Sequence, residues 1–141
     1  MRVVLDTSVL VAALRSSLGA SSLLVKAVLR GDLKPLISVP LVLEYEAVLT
    51  RPEHLRASGY TAQEAVKIVK AFCKKGEPVH LAYRLRPQLH DPNDEFVLET
   101  AFHGKAEAIV TFNYRDFETA AKRFGILALT PKEAIERMRN R

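Results

Sequence analysis

Cysteine is almost missing from this chain of 141 residues: Cys73 is the single one, so no internal disulfide can brace the fold. It falls in the helical apolar pattern of Val66, Val69 and Phe72, which makes it a packing residue rather than a reactive thiol. The histidines are few and scattered. His54, His80, His90 and His103 lack the close spacing of metal-ligand pairs and read as surface or packing residues. No uninterrupted apolar run approaches the ~20 residues needed to span a bilayer. Met1-Arg2 leads directly into Val3-Val4-Leu5 without the apolar core or small-residue cleavage site of a secretory leader, so the expectation is a soluble, cytoplasmic protein. Repeats, low-complexity tracts and linkers are absent too.

What the chain does have is apolar content and positive charge. At 48% hydrophobic, residues 1–141 suffice for a single domain around one continuous core. Lysine and arginine number 21 against 16 acidic residues, giving +5 and a pI near 9.5, a balance that favours an anionic partner or substrate.

The order of patterns is strand, helix, strand, helix. Val3 to Leu5, Leu36 to Val39, Ala108 to Thr111 and Ile126 to Leu129 are short apolar runs suited to buried parallel strands, and Pro78 to Leu81 occupies the place of another. Between them the signals predict helices: Ser8, as cap, to Leu14; Ser21 to Arg30, stopped by Gly31; and one opened by Pro40 and ended by Pro52. Further helices are predicted from the Thr61-Ala-Gln-Glu64 capping box to Lys74, from Asp91-Pro92 to His103, from Phe117 to Arg123, and after Thr130-Pro131. Such alternation implies an α/β domain with a mostly parallel sheet and right-handed crossovers.

In sheets of this kind, sites form beyond the carboxyl ends of the strands. The residues there are acidic: Asp6 comes after the first strand, Glu44 lies on the helix after the second, Asp94 starts a helix, and Asn113 and Asp116 come after Thr111. Carboxylates gathered at one edge raise one another's pKa, and a hard divalent cation such as magnesium or manganese removes that penalty while activating water against a phosphodiester. Each residue also has a plainer explanation. Asp91 before Pro92 is a good N-cap, Asp94 can complete a capping box, Asp116 can cap the helix at Phe117, Asn113 can shape a turn, and Glu44 can be as solvated as Glu46. Asp6 is the hardest to explain away, because Thr7 and Ser8 are equally able to cap the adjoining helix.

Val-Leu-Asp6-Thr7-Ser8, Glu44-Tyr-Glu-Ala-Val-Leu, Asp91-Pro-Asn-Asp94 and Val-Thr111-Phe-Asn113-Tyr-Arg-Asp116-Phe117, taken in this order, resemble the PIN-domain family over essentially the whole chain. More narrowly, they are similar to its toxin components of prokaryotic toxin–antitoxin systems. The resemblance implies a three-layer α/β/α fold and magnesium- or manganese-dependent endoribonuclease activity. It further implies a homodimer and a small antitoxin partner. It assigns catalysis to Asp6, Glu44, Asp94 and Asp116, with Asp6, Asp94 and Asp116 as metal ligands. Asn113 stands where many members carry an aspartate and offers oxygen without charge; Thr7, Asp91 and Thr111 are supporting residues. Arg15 and Arg115 are the expected RNA contacts among cations that also include Arg51, Arg84 and Arg86, and Tyr114 or, against a core role, Tyr45 can stack on bases. Leu23, Leu24 and the Leu41 to Leu49 helix are the expected dimer surface, unless the core takes them.

Other classes fit less well. A haloacid-dehalogenase-type phosphatase needs a second aspartate where Ser8 stands, and a receiver domain needs paired acidic residues near the first strand. The rival that survives is a non-catalytic RNA-binding or interaction module keeping the same fold.

Overall fold

A computed structural model describes the chain except residues 84–86 and 90, and the side chains of 92 and 93. Arg84, Arg86 and His90 therefore lie outside the described residues. Strand β1 (Val3–Leu5) is succeeded by α1 (Thr7–Arg15), α2 (Ala20–Leu29), β2 (Leu36–Ile37), α3 (Val39–Leu49), α4 (Pro52–Ser58) and α5 (Ala62–Lys74). After β3 (Glu77–Pro78) come α6 (Pro92–His103), β4 (Ala108–Val110), α7 (Tyr114–Arg123), β5 (Leu127–Leu129) and α8 (Pro131–Arg139).

Among the described residues, all strand pairs are parallel. β4 lies between β1 and β5, with Val4 opposite Ile109 and Ile109 opposite Ala128, while β2 pairs with β3 in a separate two-stranded ladder. Every residue of β1 and β4 is fully buried, so both faces of this sheet are covered by helices and the expected α/β/α layering holds. The chain leaves β1 toward β2, which packs beside it, whereas it leaves β4 toward β5 on the other side. The boundary between β1 and β4 is therefore a topological switch point, where diverging connections open a crevice beyond the strand ends.

The capping boxes are present at both Thr61–Glu64 and Thr130–Glu133. Four local expectations change. Pro52 does not merely end α3, which stops at Leu49; it is also the first residue of α4, because a fixed φ and a missing N–H suit that position. Ser8 is inside α1 rather than its cap, since the N-cap position falls to Asp6. α7 begins at Tyr114, so Asp116 sits in its first turn and does not cap Phe117. The third strand is Glu77–Pro78 instead of Pro78 to Leu81.

Gly104 closes α6 for reasons of space rather than backbone angle. A Cβ there would stand 2.7 Å from Leu36 Cδ1 and 2.9 Å from Val79 Cγ2, so the α6 terminus and the β2–β3 ladder approach closely only because the side chain is absent. Leu24, Leu41, Tyr45 and Leu49 are core residues, which removes them from the expected dimer surface; Leu23, Val39 and Leu43 remain exposed.

Candidate active site

Asp6 stands at the switch point. Its backbone N–H donates to the Val110 carbonyl at 2.9 Å, and the Thr111 N–H donates to Leu129 at 2.9 Å, so the ladders continue one residue beyond the strands and hold both residues rigidly. Asp6 is only 4% exposed, yet its carboxylate makes no capping bond to α1. Instead, Oδ2 accepts from the hydroxyls of Thr111 at 2.7 Å and Ser8 at 2.8 Å. Burial raises its pKa; those hydroxyls and the nearby amides of Thr7 and Ser8 oppose the rise. Thr111 also orders the turn into α7, its Oγ1 accepting from the Asn113 N–H at 2.9 Å.

α3 brings the second carboxylate. Tyr45 is wholly buried, packs edge-on against Phe72 at 5.8 Å, and donates its hydroxyl to the Leu5 carbonyl at 2.5 Å. That bond ties α3 to the end of β1 and settles Tyr45 as core. It also places Glu44 in a cleft of about 330 Å³ with Asp6, Thr7, Ser8, Asp91, Asp94 and Asn113. Burial raises the Glu44 pKa, with Asp91 and Asp6 adding to it and Arg51 opposing. Glu46, two residues on, does not line this cleft, and the pair that the sequence leaves equivalent is thereby separated.

Asp94 is the electrostatic focus. Burial first, then Asp6, Asp91, Asp116 and Glu44, push its pKa from 3.8 to about 7. Four other carboxylates thus act on one. Asp116 lies farther out, in an adjoining hollow of about 410 Å³ that shares Asp91, Asp94 and Asn113 with the first and has Arg115 on its wall. Asn113 belongs to both. Size does not select this site: a hollow of about 530 Å³ beside Tyr83, Phe102 and His103 has no carboxylate among the described residues that line it.

Among the described residues, no three histidine, cysteine, aspartate or glutamate side chains stand close enough to hold a metal ion directly. The donor chemistry nevertheless fits a hard divalent cation. The oxygens are carboxylate, amide and hydroxyl, and magnesium in particular retains several waters between itself and its protein ligands. Asp6 and Asp94, with Glu44 and Asp91, are the groups that could hold such an ion; Asp116 lines the adjoining hollow with Asp94 and does not line the first.

Three residues of the site escape sequence reasoning. Arg51 and His54 line the cleft, although His54 reads from the sequence as surface or packing. Arg15 does not line it; its Nη2 donates to His54 Nδ1 at 2.8 Å. Glu95, 4% exposed, accepts the backbone N–H groups of Gln88 and Leu89 at 2.5 Å each and so anchors the wall of the outer hollow. The Arg51-Pro52 step is the available signal for the first two, since proline marks a helix start as well as a stop. Glu95 carries none, being one more acid in a helix's first turn. Tyr114 is 36% exposed near the outer hollow, its hydroxyl 3.3 Å from Glu118.

A family model described as PIN domain matches residues 2–115. The interval contains Asp6, Glu44, Asp91, Asp94, Thr111 and Asn113, and stops one residue short of Asp116. No curated protein and no solved structure gives a match.

Proposed function

We propose, because the chain belongs to the PIN-domain family, mostly metal-dependent nucleases, and gathers its acidic residues at one switch point, that it is a magnesium- or manganese-dependent endoribonuclease. The observation that carries this reading is the convergence of Asp6, Asp91, Asp116 and Glu44 on Asp94. A folded chain keeps such a concentration of like charge where a cation is to be bound.

Asp6, pinned by Thr111 and Ser8, provides the fixed carboxylate, and Asp94 the one whose charge state depends on what neutralises its neighbours. A bound divalent ion lowers the pKa of water and stabilises the charge developing on the phosphate. In this reading Glu44, half-buried and lining the same cleft, takes the proton from the attacking water. Asn113 orients by neutral oxygen or amide, and Arg115 draws the phosphate backbone along the outer hollow.

The narrower part of the reading is a toxin component restrained by a small antitoxin and acting as a homodimer. It is supported by the sequence resemblance and by an apolar groove where Val39 (73% exposed) and Leu43 (60% exposed) meet Val42 and Val79. Light scattering across micromolar concentrations tests the dimer; a monomeric mass throughout removes it.

The deciding experiment is cleavage of a labelled mixed-sequence RNA by wild type and Asp6→Asn with magnesium, manganese or excess chelator. Cleavage by wild type alone, lost in chelator, is the expected result. No cleavage by a folded wild-type protein in any condition favours the binding module instead.

A further inference from the structure

The cleft has an acidic floor and a cationic wall. The floor repels the very polyanion that the proposed activity requires, so something must hold the strand against that repulsion. Arg51 lines the cleft and is exposed, and its guanidinium makes no ion pair or hydrogen bond among the described residues. Its charge lowers the Glu44 pKa without a hydrogen bond between them.

Its position is locally unfavourable. Arg51 is the N-cap of α4 and makes no side-chain cap bond, at a place where serine, threonine, aspartate or asparagine stabilise a helix and a positive charge opposes the helix dipole. A residue that breaks a local rule on its own helix while lining a cleft is a candidate for function. His54, one turn on, is held by Arg15. A guanidinium only donates, so His54 Nδ1 accepts and the ring N–H is on Nε2, a neutral donor on a second residue of the same wall.

We propose that Arg51 and His54, with Arg15 behind His54, form a phosphate clamp that binds the RNA backbone next to the scissile group. This rests on the ribonuclease reading of the cleft. Two donors of different kinds on one wall suit a non-bridging phosphate oxygen, and they give the strand a fixed side from which to enter.

The test uses Arg51→Ser, Arg51→Lys, His54→Ala and, as an exposed cation outside the cleft, Lys70→Ala. Binding of a short fluorescein-labelled single-stranded RNA is monitored by anisotropy in magnesium and on an Asp6→Asn background, over a range of salt. Kinetics are measured on the Asp6 protein. Arg51→Ser is expected to weaken binding about tenfold and to lower the slope of log Kd against log salt by about 0.7, the value for one phosphate contact on a single strand. It should also raise KM with little change in kcat. Because serine is the better cap, its melting temperature should stay level or rise, so misfolding cannot imitate the result. Arg51→Lys should keep the salt slope, His54→Ala should lose affinity with the slope retained, and Lys70→Ala should change neither.

Unchanged affinity and salt slope in Arg51→Ser overturns the clamp, as does a folded protein that binds no RNA at all. Arg51-dependent binding without any cleavage by the Asp6 protein upholds the clamp and refutes the nuclease. Cleavage with Arg51-independent binding does the reverse.

Discussion

The two ends of the central sheet treat charge in opposite ways. At the amino ends of the strands, Arg2 donates to both Glu77 carboxylate oxygens, at 3.1 and 2.6 Å, and to the Gly104 carbonyl, while Arg141 pairs with Glu107. The Glu77 and Glu107 carboxyls are held below their ordinary range by those arginines. At the carboxyl ends, Asp6, Glu44 and Asp94 all lie above theirs, with burial the first cause in each case. The same carboxylate chemistry is thus paired and relaxed at one end and crowded at the other. Stability is served where the charges alternate in sign, and chemistry is prepared where they do not.

Asp94→Asn should give the largest effect and the sharpest test of that contrast. Cleavage should fall by about two orders of magnitude or more, as a metal-holding group is lost. Metal-free stability should move the other way. A carboxyl raised from 3.8 to about 7 on folding contributes stability that is complete below pH 3.8 and disappears as pH rises through 7, so the wild type weakens across that window. The asparagine variant should lose this dependence and melt higher than wild type at pH 7.5 in chelator. Equal pH slopes for the two proteins in thermal melts would show that folding does not raise Asp94.

Gly104→Ala probes the other end. The added methyl meets Leu36 Cδ1 at 2.7 Å and the Thr100 carbonyl at 3.0 Å, an overpacking expected to destabilise by about 1–3 kcal/mol in denaturant unfolding. Cleavage per folded molecule should be unchanged. A selective loss of activity would show that the two ends are coupled. Smallest of all is Glu77→Gln, which breaks an exposed ion pair while leaving the Arg2 bonds to Gly104 in place: a slight lowering of the melting temperature at low salt, vanishing at high salt, with cleavage intact.

The contrast is only half visible in the sequence. Apolar runs ending in Asp6 and Thr111 are legible because a buried strand leaves few other ways to arrange three consecutive aliphatic residues, and the α/β order comes from them. Asp6 stands out because its neighbours offer better caps. Glu44 and Glu46 are not separable by pattern, since their difference arises from which side of α3 the Tyr45–Leu5 bond turns inward. Asp91, Asp94 and Asp116 satisfy local capping rules and site chemistry equally well on paper. Arg51 and His54 are hidden for another reason: α4 is short, and the proline that begins it also reads as the end of α3. Glu95 becomes visible only when the backbone of Gln88 and Leu89 is seen folded onto it.

The hydrogen bond from Thr111 to Asp6 joins residues 105 positions apart. Its consequence is one of timing. Asp6 and Glu44 leave the ribosome well before the strand that seats Asp6 is made. Pairing of this sequence separation is slow to form in any fold, since the entropy of closing so long a loop precedes the reward. The first residue needed for the site is therefore competent only once β4 and Thr111 have been made, and translation products that stop short of them carry Asp6 and Glu44 without the geometry that makes them a site.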